Sequence, residues 1–355
     1  VRNLKAAVYH GREDVRIEDR PEPKPGKGEV KVEVKYCGIC GTDLHEYYEG
    51  PIFIPTQPHP LTGKKLPVII GHEFSGDIVE VGEGVKGWNV GDRVTVDACI
   101  VDWTCPMCKR GMTNYCYNLG FNGLAADGAF AEYVVVPAYQ LHKLAPNVSY
   151  EEGALVEPLA CGVEGVRASG MKEGDTVFIA GAGPIGLVTL LAARAAGARE
   201  IYVSEPMKAR RELAKQLGAT EVFDPTTVDV KKEVLERTHG IGVDVAFECV
   251  GYEPALNSCI DVTRKRGTIC VIGIFPKPVT FDPFSGLVAT GKHYVGSLAY
   301  EGVDFDISIA LIADGRINVK PLITKKIKLD NLVEEGFEEL HKHRERHIKI
   351  LVSPK

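Results

Sequence analysis

Thr176-Val-Phe-Ile-Ala180 runs directly into Gly181-Ala-Gly183-Pro184-Ile185-Gly186, and this junction decides how the second half of the chain is read. A short apolar β-type run followed by G-x-G-x-x-G at the mouth of a helix is the context a dinucleotide fingerprint requires. The first glycine makes the tight turn, the second lets the backbone approach a pyrophosphate, and the third lets the helix pack on the strand. Glycine spacing alone is weak evidence, because tight turns need glycine for structural reasons too. Here the strand, the helix and a downstream acid agree. Glu205 lies nineteen residues past Gly186, at the end of the next β-type run. A carboxylate there accepts hydrogen bonds from the adenosine ribose hydroxyls and repels a 2′-phosphate, which favours NAD over NADP. The alternative is that Glu205 only caps the following helix, where Pro206 suits a first turn. Lys208 and Arg210 just beyond form a basic pair that either tolerates a phosphate or is a solvated helix face.

Around this junction apolar strands alternate with helices: Thr176–Ala180, helix Gly186–Ala196, strand Ile201–Glu205, helix Lys208–Leu217 and strand Glu221–Phe223. A helix over Val230–Arg237 and strands Asp244–Cys249, Thr268–Gly273 and His293–Leu298 complete six strands, which predicts a doubly wound parallel sheet. The first 158 residues differ. Short β-type runs (Val30–Tyr36, Ile78–Val81, Arg93–Val96, Tyr133–Val136) separated by Gly and Pro clusters predict a mostly antiparallel β domain with long loops. Five prolines between Pro51 and Pro67 exclude regular structure there, and so long a loop is usually functional. The tail from Ala299 suggests helices over Phe305–Asp314 and Leu332–His343 and a strand over Ile348–Val352.

The 355 residues suit two domains. With 42 Lys+Arg against 48 Asp+Glu the net charge is −6, opposite to what a phosphate backbone attracts, so nucleic acid is not an expected partner. No run of about 18 uncharged apolar residues and no apolar signal region near the N-terminus are present, so neither membrane nor export is expected and the cytoplasm is. Ten cysteines, four of them between Cys99 and Cys116, point in a reducing compartment to metal rather than disulfides.

Cys105-Pro-Met-Cys108 with Cys116 gives C-x2-C-x7-C, able to close three thiolates around a tetrahedral zinc. The fourth ligand is Asp102 or Cys99. The alternative is three free loop cysteines. A second set is dispersed: Cys40 in Cys37-Gly-Ile-Cys40-Gly-Thr42-Asp-Leu-His45, and Gly71-His72-Glu73 some thirty residues on. Cys37 and Cys40 look like a redox pair, but no thioredoxin-like βαβ unit surrounds them. His72 alone is more often a packed or surface residue than a ligand.

Together these strings resemble the zinc-dependent medium-chain alcohol dehydrogenases over essentially the whole chain. Within that family His45-Glu-Tyr47, Gly50-Pro-Ile-Phe-Ile-Pro55, His59-Pro-Leu-Thr62, Gly120-Phe-Asn-Gly-Leu124 and Glu335-Gly-Phe337 are most similar to the butanediol (acetoin) branch, next to the sorbitol dehydrogenases. The resemblance implies a Rossmann NAD-binding domain over 159–298 and a mostly β GroES-like catalytic domain over 1–158 and 299–355. It implies two zinc ions per subunit: a catalytic one among Cys40, His72 and Glu157 with Glu73 beside it, and a structural one in the cysteine loop. The family's first structural cysteine falls on Asp102, a departure that bears on that site. The Glu157 position, in Ala154-Leu-Val-Glu157-Pro, is a cysteine in ordinary alcohol dehydrogenases. Thr42 matches the hydroxyl that hands on the substrate proton, and His45 the histidine near the end of that relay. Either residue could instead have a plain role, Thr42 capping the turn and His45 lying on the surface. The cofactor residues implied are Gly181, Gly183, Pro184, Ile185, Gly186, Glu205 and Arg210. The expected partners are a small diol or hydroxyketone and a second copy of the chain, as homodimer or homotetramer. Competing readings are a polyol (sorbitol or xylitol) dehydrogenase, an L-threonine 3-dehydrogenase, and a catalytically inactive NAD-binding protein of the same fold.

Overall fold

Five successive residues, Thr176–Ala180, are all buried, as a strand covered on both faces must be. In the computed structural model, which describes residues 3–355, this strand lies at the middle of a six-stranded sheet. Taken in chain order the strands are Thr176–Ala180, Glu200–Ser204, Glu221–Phe223, Val243–Glu248, Thr263–Val271 and His293–Gly296. They stand side by side as third, second, first, fourth, fifth and sixth, all parallel. That order reverses direction between Thr176–Ala180 and Val243–Glu248, where a doubly wound sheet opens its ligand crevice. Phe178, Tyr202, Phe223, Phe247 and Ile269 are buried in this unit. Helix Pro184–Ala195 follows the first strand, with proline in its first turn and Leu187–Ala193 buried.

The chain divides into two compact units, Val1–Glu157 with Glu301–Ala313 and Val319–Lys355, and Pro158–Tyr300 with Asp314–Asn318. The expected domain start at residue 1 lies outside the described residues. In the first unit the strands run Leu141–Lys143, Arg93–Val96, Glu73–Val81, Glu29–Gly38, Lys349–Ser353 and Ile323–Lys328 across one sheet. Only the last pair is parallel. Strand Glu29–Gly38 is its organiser. One edge pairs with Glu73–Val81; the other pairs with Tyr133–Pro137 over Glu29–Glu33 and with the C-terminal strand at Cys37 and Gly38. Val32, Val34, Phe74, Ile78, Phe130 and Phe337 fill the core beside it.

Several elements differ from expectation. Strands Asn3–Gly11 and Asp14–Pro21 and helices Gly41–Glu49 and Glu253–Val262 are present although their charged or short patterns concealed them. The strand expected from Thr268 begins at Thr263. The single helix expected over Leu332–His343 is two pieces, a wide π-type turn Leu332–Phe337 and a helix Glu338–Lys342. Gly336 sits in the first piece, where a Cβ would come within 2.6 Å of Ile39 Cδ1. No regular element lies between Gly50 and Val68, as the prolines require.

Phe74 is fully buried on strand Glu73–Val81, whereas Val90 is 65% exposed in a turn. Phe74→Ala should therefore destabilise by about 3–5 kcal/mol, and Val90→Ala should stay within about 0.5 kcal/mol. Denaturant unfolding of the two variants checks the contrast; equal midpoints would mean that the core has been misplaced.

Candidate active site and metal centres

Three strand ends build the first cluster. Strand Glu29–Gly38 ends two residues before Cys40, and its register places Gly38 opposite Glu73, the first residue of the neighbouring strand. His72 immediately precedes Glu73. Ligand atoms of Cys40, His72 and Glu73 consequently lie within 4.8 Å of one another, although His72 lies 32 positions beyond Cys40 in the sequence. Cys40 is the N-cap of helix Gly41–Glu49, in extended conformation, and its N–H donates to Asp43 Oδ2 at 2.9 Å.

Asp43 was not among the residues singled out from sequence. It is 1% exposed, and its Oδ1 lies 3.7 Å from His72 Nδ1, each atom lacking a hydrogen-bond partner. A histidine whose Nδ1 faces a carboxylate keeps Nε2 as its lone-pair donor, the tautomer a metal needs. Burial pushes the Asp43 carboxyl up to about 6 against the pull of His72. Burial alone would pull the His72 imidazole down, but Asp43 and Cys40 outweigh it and hold it well above its usual value. The pocket is thus electronegative and receptive to a cation. A thiolate, an imidazole and carboxylates are the ligand types zinc takes, so these residues fit that ion.

Glu157, near the start of helix Val156–Ser169, is buried and its charge acts on His72 and Lys349. Its oxygens are not in the group whose ligand atoms fall within 4.8 Å. Glu73 is in that group, and both its oxygens accept hydrogen bonds from Lys349 Nζ, at 2.8 and 2.7 Å. Lys349 is a second site residue the sequence reading missed, since nothing local connects it to Glu73, 276 residues away. Thr42 Oγ1 lies 3.7 Å from Cys40 Sγ. His45, one turn further along the same helix, has a side chain 44% exposed beside Glu49. Cys37 is fully buried and burial pushes its thiol well up, which makes it packing and not a reactive partner.

The proline-rich segment is tethered by a residue of the same helix. The buried Glu46 carboxylate accepts N–H groups from Ile52 at 3.0 Å and Ile54 at 3.2 Å, and also from Phe53. Further on, Lys64 Nζ pairs with Asp127 Oδ2 at 2.7 Å and Leu66 N–H donates to Pro55 O at 3.1 Å. The loop thereby presents Ile52 and Phe53, each about half exposed, in a fixed conformation.

The second cluster is local. Ligand atoms of Asp102, Cys105, Cys108 and Cys116 lie within 4.8 Å of one another, and the alternative Cys99 is not among them. Cys99 sits on the two-residue strand Cys99–Ile100, its carbonyl accepting from Gln140 Nε2 at 2.9 Å. Backbone N–H groups point at sulfur, from Asp102 to Cys116 Sγ at 3.4 Å and from Cys108 to Cys105 Sγ at 3.5 Å. Such donors stabilise thiolate ligands, and the arrangement fits zinc as well. Asp102 Oδ1 accepts from the N–H groups of Cys105 and Thr104 at 2.8 Å each, which hold its carboxyl far below the usual range.

In the dinucleotide unit Gly181 has φ +96°, open to glycine and strained for other residues. A Cβ on Gly186 would fall on Gly181 O, so the third glycine is needed for helix to approach strand. Gly183 is the N-cap of the helix that Pro184 and Ile185 open. Glu205 is 4% exposed; Oε2 accepts from Ala182 N–H at 2.8 Å and Oε1 from Met207 N–H at 2.9 Å. It therefore braces the fingerprint loop itself, a role sequence spacing did not suggest. Arg210 Nη1 lies 3.5 Å from where a Cβ on Gly183 would be, whereas Lys208 is exposed and pairs with Glu212 at 3.7 Å.

Two family models match the chain: an alcohol dehydrogenase GroES-like domain over residues 26–146 and a zinc-binding dehydrogenase domain over 184–314. The (R,R)-butanediol dehydrogenase of Bacillus subtilis is 45% identical over 353 residues, covering 99% of this chain and 100% of that protein. The L-threonine 3-dehydrogenase of Pyrococcus furiosus is 40% identical over 94% of this chain and 93% of its own length. Among solved structures, the 2R,3R-butanediol dehydrogenase of Bacillus subtilis superposes with a TM-score of 0.93 at 44% identity, covering 99% of this chain and 100% of that one. Among the described residues no helix is long and apolar enough to cross a membrane. With relatives matched end to end and a thiolate, an imidazole and a carboxylate gathered at the strand ends, the chain belongs to the zinc-dependent medium-chain alcohol dehydrogenases, oxidoreductases that use zinc and a nicotinamide dinucleotide.

Proposed function

We propose that this enzyme interconverts (2R,3R)-butane-2,3-diol and acetoin, with diacetyl reduction as a related activity, using NAD and two zinc ions per chain. The observation that carries the substrate is the end-to-end likeness, 45% identical, to an (R,R)-butanediol dehydrogenase. The site supports it. Ile52 and Phe53 give the tethered loop an apolar rim suited to a short, methyl-ended diol. A diol offers one oxygen to the cation site and its neighbour to a polar group such as Glu157, and a simple alcohol loses the second contact. The threonine-dehydrogenase reading rests on the 40% identical relative and is decided by the same assay.

Cys40 and His72 would hold the catalytic zinc, with Glu157 and Glu73 beside them. Bound zinc would supply Lewis acidity toward the substrate oxygen, and the nicotinamide would supply the hydride acceptor. The chain's residues handle the proton. Thr42 Oγ1, beside Cys40 Sγ, would accept the hydroxyl proton as its own proton passes on toward His45, one turn along the helix and 44% exposed, which would release a proton to water. Asp43 faces the His72 ring at Nδ1. Asp102, Cys105, Cys108 and Cys116 would hold the structural zinc. In the dinucleotide unit the Gly181–Gly186 loop and the start of helix Pro184–Ala195 receive the pyrophosphate, with Arg210 beside Gly183. Glu205 serves the ribose hydroxyls with the lone pairs that its two backbone contacts leave.

We further propose catalytic and cofactor domains over 1–158 with 299–355 and over 159–298, a cytoplasmic enzyme, and a homodimer or homotetramer. Phe284 and Val288 of the dinucleotide unit are exposed by 69% and 68%, and large apolar side chains left at the surface suit burial against a second copy.

Metal analysis should return two zinc ions per chain. Cys40→Ser should reduce turnover by at least about 100-fold with the fold intact, whereas Cys108→Ser should first lower the melting temperature, because a structural zinc contributes directly to folding. One zinc per fully active chain would remove the structural site.

NAD should be preferred over NADP by at least about tenfold in kcat/KM, ~1.4 kcal/mol. Glu205→Ser should relax that preference and also raise the KM for NAD, because the N–H groups of Ala182 and Met207 lose their acceptor. Equal use of NADP by the unaltered enzyme would make Arg210 the selecting residue.

A spectrophotometric screen of NAD reduction should rank (2R,3R)-butanediol above its stereoisomers, sorbitol, xylitol and L-threonine. Sorbitol or threonine better by about tenfold in kcat/KM, ~1.4 kcal/mol, would end the butanediol assignment and leave the zinc and NAD chemistry standing.

A further inference from the structure

We propose that Lys349 is a positioning residue that holds Glu73 off the catalytic cation and so keeps a coordination position open for the substrate; the inference rests on the zinc reading above. Three strand termini meet at this point: Gly38 ends the central strand, and Glu73 and Lys349 begin its two neighbours. Gly38 pairs with Glu73 on one edge and with Leu351 on the other. Lys349 is 3% exposed and Glu73 is 1% exposed. The ammonium donates to Glu73 Oε1 at 2.8 Å, to Glu73 Oε2 at 2.7 Å and to Ile39 O at 3.0 Å. An ammonium has three donors, and all three are spent here. Lys349 therefore ties the backbone just before Cys40 to the carboxylate just after His72, joining the two segments that carry the ligands.

Gly38 completes the cradle. A Cβ there would fall on Glu73 Oε2, so the carboxylate occupies space that only glycine leaves. Glu73 nevertheless remains within the 4.8 Å cluster with Cys40 Sγ and His72. Swinging it onto the cation would break two charge-assisted hydrogen bonds and leave Lys349 buried without its counter-ion, a state that strongly disfavours itself. The pair is internally neutral and adds no net charge to the site. Without the ammonium, Glu73 becomes an uncompensated buried carboxylate whose nearest available positive charge is the cation.

The test uses the zinc-loaded enzyme and its cobalt-substituted form. Lys349→Met should retain zinc and release it to a chelator about tenfold more slowly, because a carboxylate joins the ligands. The visible cobalt bands should weaken as coordination number rises. The alcohol KM should rise by about tenfold. Adding Glu73→Gln should restore the native chelation rate and cobalt spectrum, and Lys349→Arg should keep both. Lys349→Gln, which keeps a polar head but removes the positive charge that holds Glu73, is read the same way if the methionine variant does not fold. A cobalt spectrum and chelation rate unchanged in Lys349→Met, or zinc lost faster without rescue by Glu73→Gln, would overturn the proposal and leave Lys349 a structural staple. Absence of zinc from the Cys40 and His72 site of the unaltered enzyme would instead overturn the reading on which it rests.

Discussion

The backbone ladder of strand Glu29–Gly38 is the constraint on which the catalytic unit depends. It pairs with Glu73–Val81 on one edge and with Tyr133–Pro137 and Lys349–Ser353 on the other. Because register in a sheet is specified by which side chains face the core, a slip of one residue would turn Val32 and Val34 outward and part Gly38 from Glu73. The ligand cluster is a consequence of that register. Cys40 stands two residues beyond the end of one strand and His72 one residue before the start of another, so fixing the strands fixes the ligands. Sites carried on rigid element ends hold their geometry better than sites carried on free loops.

Charge at this site is managed in opposite ways. Asp43 is buried opposite an imidazole, that of His72, and Glu73 is buried with a dedicated ammonium. A buried ion pair contributes little net stability against an apolar pair of the same volume, so its presence argues for specificity of position. Glu46 and Glu205 show another arrangement, with carboxylate oxygens that accept from the main chain. Each is satisfied by backbone N–H groups, of the proline-rich loop in one case and of the fingerprint loop in the other. Carboxylates that look like chemistry in the sequence are here partly architecture, and their removal would loosen the loops that meet ligands.

The two cysteine-containing ligand clusters differ in how they are made. Asp102, Cys105, Cys108 and Cys116 come from fifteen consecutive positions, with turns and N–H···S contacts closing the loop on itself. A closed, local site of this kind suits a structural ion. The other set draws on segments far apart in sequence and lies next to a hydroxyl and a half-exposed imidazole on one helix face, the parts a proton path needs.

The sequence by itself determined whatever is encoded within a few residues. The Thr176–Gly186 strand, turn and helix, the spacing to Glu205, the C-x2-C-x7-C loop and the irregularity of Pro51–Pro67 were all legible, because sterics and short-range hydrogen bonding decide them. Helix Gly41–Glu49 was not, its charged surface masking any apolar period, nor was the break inside Leu332–Lys342, which Gly336 permits against Ile39. Tertiary structure alone decided that Asp43 faces His72, that Asp102 rather than Cys99 joins the cysteine cluster, that Glu46 gathers the loop, and that Lys349 closes on Glu73 from the other end of the chain. No local pattern marks such partners, since a buried charge is matched by whatever group the sheet register brings within about 3 Å, regardless of sequence distance.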